Sequence, residues 1–334
     1  MGGIGNMVLL TPALSMVSKK YPQARFHFLI PKNNSRDIIE LHPQTGMIVE
    51  ISGMADFLFS KIVSLRKLKV DIAISATGTN PFKCGLIGLV SGAKFRLGES
   101  FGWGRFLYNL RVPFKQRVHE AAANGAIVKR IIPDGILGKC TIFTAGKDVD
   151  NAKQFFRDHH FAGKSCIGFH LGSGEAMSFK RWPTENFIEI GQALLDLIGN
   201  DCRIILFGGR DEQELAERAA RQIGSHAINT AGILSIRESY ELMKHATIVI
   251  SGDTGPMHLA AAAGCRVIAL FGPTDEQMTA PFGLGHHIIA APLECRSCYS
   301  NNRPITCTFR HCLTDITVAA VLSQVTRMLD RSTE

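Results

Sequence analysis

Short apolar runs alternate with amphipathic stretches along the whole chain. The runs indicate buried strands, and stretches with apolar residues at every third or fourth position indicate helices. Strands are predicted at 25–30, 70–75, 94–97, 140–143, 166–170, 203–207, 247–250 and 266–271. Helices are predicted at 11–20, 85–91, 148–159, 185–198, 212–223, 236–244, 254–263 and 315–329. This alternation in both halves predicts an α/β protein with doubly wound parallel sheets.

The length of 334 residues favours about two domains. We expect an N-terminal domain over residues 1–160, a C-terminal domain over 161–312, and a final helix within 313–334. A doubly wound domain normally begins with a buried strand that leads into its first glycine loop. Here the glycine loop starts at residue 2. The first strand is therefore expected to be missing, which implies either a start upstream of Met1 or a gap in the first sheet.

Composition narrows the class of protein. Apolar residues make up 46% and charged residues 20% of the chain, which is typical of a folded soluble protein. The most apolar segment, 248–271, contains Asp253, His258 and Arg266, so no membrane-spanning helix is predicted. Nine cysteines without a secretory signal favour a reducing cytoplasm over a disulfide framework.

Charge is unevenly distributed along the chain. Residues 1–133 carry 18 basic and 7 acidic residues, whereas the remainder carries 19 basic and 22 acidic residues. A basic half suggests an anionic partner, either a phosphorylated glycolipid, an anionic membrane leaflet or nucleic acid. Simple solvation of the surface is the alternative. The basic residues are scattered and not interleaved with aromatic residues, so no nucleic-acid partner is predicted.

One segment combines a strand end, a glycine turn and a helix start. It runs from Ser251 to His258 and has the sequence Ser-Gly-Asp-Thr-Gly-Pro-Met-His. Backbone N–H groups at a helix N-terminus have no partner within the helix and attract a phosphate or diphosphate. The candidate ligand-binding residues are Asp253, Thr254, Gly255 and His258. The structural alternatives are an N-cap role for the aspartate and a core position for the histidine.

Two other predicted strand ends carry candidate ligand-binding residues. The loop after the strand 166–170 contains Ser173, and Lys180 or Arg181 follows it with a charge that suits a phosphate. Asp211 and Glu212 follow the next strand and are candidates to bind ribose hydroxyls. A solvated helix start and helix N-terminal charge are the respective alternatives. Neither a G-x-G-x-x-G nor a P-loop motif occurs, so a nicotinamide dehydrogenase and a P-loop ATPase are unsupported.

Four of the cysteines are clustered near the C-terminus. They have the pattern Cys295-x₂-Cys298-x₈-Cys307-x₄-Cys312. The first pair has the spacing at which two thiolates share one ion, so the four indicate a structural site for zinc or iron. His311 is adjacent and can replace one ligand. The alternatives are four free thiols, or disulfides in an oxidised sample.

Taken together, several motifs resemble those of glycosyltransferase family 9, the lipopolysaccharide heptosyltransferase family, over nearly the whole chain. They are Gly2-Gly3-Ile4-Gly5-Asn6 with Thr11-Pro12, Lys94-Phe95-Arg96-Leu97-Gly98, Lys180-Arg181-Trp182-Pro183, Asn229-Thr230-Ala231-Gly232, Gly252-Asp253-Thr254-Gly255-Pro256-Met257-His258, and Leu270-Phe271-Gly272-Pro273-Thr274.

The resemblance implies a GT-B fold, in which two Rossmann-like domains face each other across a cleft. The C-terminal domain would bind a nucleotide sugar, typically ADP-heptose, and the final helix would cross back to the N-terminal domain. The N-terminal domain would bind an anionic glycolipid acceptor with Gly3, Gly5 and Thr11 in its cleft loop. Lys180 would meet the diphosphate, and transfer would invert the anomeric carbon without a required cofactor. Family members are cytoplasmic and peripheral to the inner membrane.

One residue departs from the family pattern. Heptosyltransferases usually carry an aspartate as catalytic base where this chain has Asn6. An amide does not take up a proton at neutral pH. Another carboxylate or a histidine then acts as the base, or a weak base suffices, or the protein binds without turnover. Nearby alternatives such as His119 and Glu120 cannot be placed in the cleft from sequence alone.

We therefore predict a glycosyltransferase that moves a sugar from a nucleotide donor to an envelope glycolipid or a related acceptor. Two alternatives share the predicted fold: a nucleotide-sugar-binding protein without transfer activity, and a sugar-nucleotide epimerase. A metal-stabilised interaction module is a third alternative from a different class. Some relatives with a similar cysteine cluster glycosylate autotransporter adhesins, which keeps the acceptor class open.

Overall fold

The structure is a computed structural model that describes residues 3–32, 35–51, 62–99, 102–114, 117–299, 307 and 311–330. Gly2 of the opening motif lies outside this set. The strands are β1 Phe26–Pro31, β2 Thr45–Ile51, β3 Ile72–Ile74, β4 Phe95–Glu99, β5 Leu110–Val112, β6 Ser165–His170, β7 Cys202–Phe207, β8 Ala227–Asn229, β9 Ile248–Gly252, β10 Arg266–Phe271 and β11 His287–Ala290.

The helices are α1 Ile4–Lys20, α2 Arg36–Ile39, α3 Ile62–Lys67, α4 Pro81–Val90, α5 Glu120–Val128, α6 Gly146–Asp158, α7 Thr184–Ile198, α8 Gln213–Ile223, α9 Ile236–Met243, α10 Gly255–Ala263, α11 Glu276–Thr279, α12 His311–Thr314 and α13 Val318–Asp330. Short 3₁₀ helices span Trp103–Leu107, Glu175–Lys180, Gly199–Asp201 and Arg210–Glu212. None of the helices in the described ranges has both the length and the apolar character that crossing a bilayer requires.

The chain divides into two compact units, Met1–Phe143 and Thr144–Glu334. The division falls before helix α6, whereas the sequence places the domain boundary after it. Helix α6 packs against α9, and Arg237 of α9 forms a 3.2 Å ion pair with the buried Asp148 of α6. The hydroxyl of Thr144 donates a 2.6 Å hydrogen bond to Glu241 of the same helix α9. Helix α6 therefore belongs to the second unit.

The second unit is built on one sheet of six parallel strands in the order β11-β10-β9-β6-β7-β8. Its central strands are almost continuous apolar runs because helices cover both of their faces. Alternate residues such as Ile204, Leu206, Ile248 and Ile250 lie on one face, where they form a core with apolar residues of α7, α8 and α13. The doubly wound α/β prediction is confirmed.

The first unit contains two separate parallel sheets. Strand β1 pairs with β2, and β3, β4 and β5 form a second sheet. Among the described residues, no strand pairs with both sheets. The predicted strand 140–143 is wrong, because this segment is not paired in a sheet and the amide of Thr141 donates instead to the Thr11 hydroxyl.

Helix α1 begins at Ile4, seven residues before the predicted start, so Gly5 and Asn6 lie in its first turn rather than in a loop. The Asn6 side chain accepts a 2.9 Å hydrogen bond from the amide of Gly3, which satisfies one donor at the start of the helix. Pro12 lies inside this helix and cannot donate to the carbonyl of Val8. The hydroxyl of Thr11 donates to that carbonyl instead, at 2.8 Å. Thr11 thus allows the helix to continue through the proline.

The last helix, α13, packs against α7 and β10 of the second unit. Just before it, the carbonyl of Ile316 accepts a 2.9 Å hydrogen bond from the indole of Trp182. The Trp182 ring is 1% exposed and meets Phe187 edge to face at a centroid distance of 4.9 Å. Trp182 therefore connects the loop before α7 to the C-terminal segment. The predicted return of the final helix to the first domain stays a prediction.

Replacing Trp182 with phenylalanine is expected to destabilise the second unit. The change leaves the buried Ile316 carbonyl without its donor and opens a cavity, a cost of at least ~1–3 kcal/mol. The chain offers a matched control, because its other tryptophan, Trp103, is 83% exposed. Trp103→Phe is expected to change stability by less than ~0.5 kcal/mol. Denaturant unfolding followed by circular dichroism checks both. Equal losses in the two variants would contradict the role of Trp182.

Candidate functional site

Most of the predicted ligand-binding residues lie at the carboxyl edge of the six-stranded sheet. The sheet contains four consecutive parallel strands in the order β10, β9, β6 and β7. The loops that follow them therefore open at the same edge. Open α/β sheets bind ligands at this edge. The sequence therefore placed its candidate segments correctly relative to the strands, and the side-chain contacts define what each residue does.

Glu212 is the centre of the contacts between these loops. Its Oε2 atom lies 3.1 Å from Nε2 of His170 at the end of β6, and both side chains are buried. The carboxylate also accepts 3.0 Å hydrogen bonds from the amides of Gly174 and Gly209. Nδ1 of His170 lies 3.1 Å from the hydroxyl of Thr254, which follows β9. One chain of hydrogen bonds thus connects the loops after β7, β6 and β9.

The electrostatics of Glu212 follow from these contacts. Burial raises the pKa of this carboxyl, but the hydrogen bond and charge of His170 and the two backbone amides outweigh burial and lower the pKa to about 2. Glu212 therefore stays ionised well into acidic solution. Both of its oxygens accept hydrogen bonds from the protein, and its predicted contact with a ribose stays a prediction.

Two glycines allow the loops to approach this carboxylate closely. A Cβ atom on Gly172 would overlap the Glu212 carboxylate, and one on Gly208 would lie 3.0 Å from both Glu212 Oε2 and the Ala231 side chain. Any larger side chain at Gly172 would displace the buried acid. The glycines of these two strand-end loops are therefore required by packing around Glu212.

Lys180 is held in place beside Asp253, which follows β9. Its ammonium lies 3.0 Å from Oδ2 and 3.5 Å from the carbonyl of Asp253, and 5.3 Å from the centre of the Tyr299 ring. The Lys180 side chain is only 16% exposed. A lysine with fixed neighbours is a pre-positioned point charge for a phosphate.

Helix α10 begins two residues after Asp253, the partner of this lysine. Thr254 is its N-cap residue, but the Thr254 side chain makes no capping hydrogen bond and contacts His170 instead. Pro256 has no N–H group to satisfy. Gly252 packs close to Lys180, because a Cβ on it would lie 3.2 Å from the Lys180 carbonyl. The backbone amides that start at Gly255 thus lack a side-chain cap, as an anion site requires.

Two buried polar atoms in the same set of loops have no hydrogen-bond partner among the described residues. They are Nε of Arg181, next to Lys180, and Oγ1 of Thr274, after β10. Buried polar groups in folded proteins are nearly always paired with protein, water or ligand. These two atoms therefore mark this edge as a place for an additional polar molecule.

The remaining predicted residues of the second unit have more local contacts. The Ser173 hydroxyl donates a 2.6 Å hydrogen bond to the carbonyl of Met177 and closes the turn that leads to Lys180. Asp211 is exposed at the end of β7, and His258 is buried in the first turn of α10. Sequence reasoning did not select His170 as a site residue. Its position at the last residue of β6, before a glycine loop, was the available signal.

In the first unit, Gly3, Gly5 and Asn6 lie at or next to the start of α1. The amide nitrogen of Asn6 donates a 2.6 Å hydrogen bond to Oε2 of Glu120, the first residue of α5. Glu120 is thus the carboxylate that the sequence could not place. Thr11 is buried and serves helix α1, and its predicted role toward an acceptor stays a prediction.

The clustered cysteines have mixed exposure. Cys295, Cys298 and Cys307 are exposed, whereas Cys312 is half-buried. Burial raises the pKa of the Cys312 thiol, and the neighbouring Cys298, Cys295 and Cys307 raise it further. Within the described part of the chain, no three or more side chains of the metal-binding types are arranged closely enough to hold an ion.

Comparison with protein families and curated proteins gives consistent matches. The model of the family described as glycosyltransferase family 9 (heptosyltransferase) matches residues 59–308. Lipopolysaccharide heptosyltransferase 3 of Escherichia coli K12 is 26% identical over 293 residues, which cover 83% of this chain and 82% of that protein. Lipooligosaccharide heptosyltransferase 2 of Haemophilus influenzae is 31% identical over 140 residues, and this match spans only 39% of the length of that protein.

Comparison with solved structures addresses the fold. The chain matches the ADP-heptose lipopolysaccharide heptosyltransferase II of Escherichia coli with a TM-score of 0.78 and 20% identity, covering 100% of this chain and 98% of the other. It also matches TibC, an iron-containing dodecameric glycosyltransferase of enterotoxigenic Escherichia coli H10407, with a TM-score of 0.58 and 14% identity. The latter match covers 100% of this chain and 75% of that one.

The family model spans about three quarters of the chain and includes the loops at Lys180, Glu212 and Asp253. The structural matches extend over both units and show the same α/β architecture. From this agreement, the chain belongs to glycosyltransferase family 9, the heptosyltransferases, and has their GT-B fold.

Proposed function

We propose that the chain transfers a sugar, heptose from ADP-heptose, to the core of lipopolysaccharide or a related envelope acceptor with inversion of the anomeric carbon. The observation that carries this proposal is Lys180, which pairs with Asp253 just before an uncapped helix N-terminus at the carboxyl edge of the six-stranded sheet. The relative from Escherichia coli K12 and the structural neighbour heptosyltransferase II are named for heptose transfer. These names support the choice of donor.

The second unit provides positive charge where a diphosphate leaving group needs it. Lys180 supplies a cation, and the first amides of α10 supply N–H donors at the positive end of the helix dipole. Groups fixed before the reaction stabilise charge that develops on the leaving group at no cost in reorganisation. Arg181 Nε and Thr274 Oγ1 provide a further donor and an acceptor or donor for the same molecule. Asp211, exposed at the end of β7, is the proposed ribose contact.

A nucleotide-sugar-binding protein without transfer activity is the second candidate, because Asn6 stands where the family's base is expected. The two functions differ in one measurable product. A transferase releases nucleoside diphosphate only when an acceptor is present, a binding protein releases none, and an epimerase converts the donor without an acceptor.

Replacing Lys180 with methionine is expected to weaken ADP binding by roughly tenfold to a hundredfold, because a charge-assisted contact to a phosphate contributes ~1.5–3 kcal/mol. Calorimetric titration of ADP measures the effect directly. Lys244→Met is the matched control. Lys244 also pairs with a carboxylate, Glu241 at 2.7 Å, and lies over an aromatic ring, that of Tyr240.

The control variant is expected to bind ADP as the wild type does. Lys180→Met removes the cation paired with the buried Asp253, so circular dichroism checks that the variant is folded at the titration temperature. Equal ADP affinity in wild type and Lys180→Met would remove Lys180 from the donor site.

We also propose that the protein is cytoplasmic and binds to the surface of the inner membrane. The exposed surface of the first unit supports the membrane contact. Three aromatic residues form an exposed patch: Trp103 is 83%, Phe106 64% and Phe82 51% exposed. The rings of Trp103 and Phe106 lie 6.4 Å apart, and Gly104 between them packs against the backbone of Phe82. We call these three residues the aromatic patch.

Basic residues surround the aromatic patch in the sequence. The segment 75–119 contains seven basic residues and one acidic residue. The guanidinium of Arg105 lies over the Phe106 ring, 4.7 Å from its centre. Tryptophan prefers the membrane interface, and each basic residue near an anionic leaflet contributes ~1 kcal/mol to binding. The patch is therefore proposed to dock on anionic phospholipid.

The double change Trp103→Ala and Phe106→Ala is expected to reduce binding to phosphatidylglycerol vesicles by at least ~10-fold, because burial of each aromatic ring contributes ~1.5–3 kcal/mol when complete. Co-sedimentation measures binding, and a blue shift of wild-type fluorescence reports Trp103, since Trp182 is buried. Leu284→Ala, which removes a 98% exposed apolar side chain of the second unit, is the control. If the wild-type protein does not bind to anionic vesicles at low salt, the proposed docking is wrong.

A structural zinc or iron ion at Cys295, Cys298, Cys307 and Cys312 is proposed as well. Four soft sulfur donors suit either metal. Burial and then the charges of Cys298, Cys295 and Cys307 raise the pKa of the Cys312 thiol, which supports a common environment for the four thiols. TibC is described as iron-containing, so iron is the first metal to test. The ion would connect the segment around Cys298 to helix α12, and transfer needs no step through it.

Cys298→Ser is expected to lower the metal content of protein purified without chelator under reducing conditions, because it removes one of four ligands. Elemental analysis by mass spectrometry measures the metal per chain. Cys84→Ser, in the first unit, is the control and is expected to leave the content unchanged. Metal-free wild-type protein from the same preparation would end this proposal.

A further inference from the structure

Three segments of the first unit meet around the side chain of Asn6. They are the first turn of α1, the loop that follows β3, and the start of α5. Nδ2 of Asn6 donates to Oε2 of Glu120 at 2.6 Å. Gly78 closes the third side with a φ angle of 72°, and a Cβ on it would lie 2.6 Å from Asn6 Nδ2 and 3.3 Å from Glu120 Oε1. The pair thus leaves no space for a side chain at residue 78.

The orientation of the Asn6 amide is determined at both ends. Its Oδ1 accepts the hydrogen bond from the Gly3 amide at 2.9 Å, so its Nδ2 must face Glu120. An asparagine side chain has one acceptor atom and one donor group. Asn6 therefore acts as a donor that fixes the position of a carboxylate, and its own oxygen is already used by the helix start.

Glu120 lies where ligands bind in this type of sheet. Strand β3 ends at Ile74, and the loop with Gly78 leaves its carboxyl end. The Thr77 amide donates a 2.9 Å hydrogen bond to Asn124 of α5, which holds this loop against the helix that begins with Glu120. Open parallel sheets bind their ligands at the carboxyl ends of the strands. The neighbouring His119 uses Nδ1 to accept the Ala121 amide as a helix cap.

We propose that Glu120 is the general base of the transfer reaction and that Asn6 is the residue that positions it; this inference rests on the proposed glycosyl transfer. The acceptor hydroxyl oxygen forms a bond to the anomeric carbon while its proton moves to the Glu120 carboxylate. The bond from the anomeric carbon to the diphosphate oxygen breaks, and its electron pair leaves with the nucleoside diphosphate. One glycosidic bond forms as one glycosyl–phosphate bond breaks.

The chemistry explains why the carboxylate rather than the amide serves this step. A carboxylate accepts a proton, whereas an amide does not do so at neutral pH. The hydrogen bond of 2.6 Å places the Glu120 carboxylate one contact away from the position that the family resemblance gives to the base. A purely structural Glu120, which would cap the dipole of α5, would affect stability rather than turnover.

Glu120→Gln is expected to reduce turnover by ~10²–10⁴-fold, the usual contribution of general-base catalysis. The measurement is acceptor-dependent release of ADP from ADP-heptose with core glycolipid acceptors. ADP affinity, measured by calorimetry, is expected to stay at the wild-type value because the donor residues lie in the second unit. A glutamine keeps an acceptor oxygen for Asn6 Nδ2, so folding is preserved, and circular dichroism with a melting curve checks it. Glu40→Gln, which changes a half-buried acid elsewhere in the first unit, is the matched control.

A second variant separates the catalytic from the structural interpretation. Adding Asn6→Asp to Glu120→Gln puts a carboxylate at the other end of the same hydrogen bond. It is expected to restore turnover at least ~10-fold over Glu120→Gln alone, because a carboxylate base is again present in the site. A residue that acts only through stability would not be rescued in this way.

The outcomes are distinct. Loss of turnover in Glu120→Gln with unchanged ADP affinity, together with rescue by Asn6→Asp, supports Glu120 as the base. Wild-type turnover in a folded Glu120→Gln variant overturns the role of Glu120 while the transferase function stands. Lost turnover without rescue by a folded double variant also overturns it. No acceptor-dependent release by the wild type overturns the transferase function and, with it, the need for a base.

Discussion

The second unit depends on the buried carboxylate of Glu212. A charge taken out of water is costly unless it is paired and hydrogen-bonded. Glu212 meets that condition with His170 and two backbone amides, which come from loops that would otherwise be independent. His170 in turn forms a hydrogen bond with the hydroxyl of Thr254. Thr254 therefore does not cap helix α10 with its side chain. The backbone amides at the start of this helix stay available to an anion. A buried charge in the scaffold thus prepares a site for a charge in the ligand.

The acidic side chains of the two units have different hydrogen-bond partners. In the second unit, the acid is surrounded by donors, and the cation Lys180 stands apart from it on Asp253. In the first unit, the neutral amide of Asn6 donates to Oε2 of the acid Glu120. A leaving group that gains negative charge needs cations and N–H donors around it, whereas a proton acceptor needs a carboxylate. In the proposed transfer, the second unit therefore stabilises the leaving group and the first unit supplies the proton acceptor.

The sequence predicted the α/β class, the strand-end location of the candidate loops and the family, because apolar runs and glycine turns are local signals. Four strands escaped prediction: β2, β5, β8 and β11, each at the edge of its sheet. An edge strand lacks the continuous apolar character of a buried one, so its pattern is weak. The start of α1 was missed because two glycines precede it, and the strand predicted at Cys140 was apolar without a pairing partner. The contacts of Glu212 and Glu120 join residues 38 and 114 positions from their partners, and no local pattern carries such information.

The position of Glu120 explains why an asparagine suits residue 6 better than an aspartate. An aspartate at residue 6 would put a second carboxylate within hydrogen-bond distance of Glu120, and two carboxylates at that separation do not both ionise. One of the two would hold a proton and lose its capacity as a base. The amide avoids this repulsion and donates to the glutamate, while its oxygen still serves the helix start at Gly3. The asparagine at residue 6 is therefore consistent with a base that lies on a neighbouring segment, at Glu120. The amide then positions this carboxylate and does not take over its role.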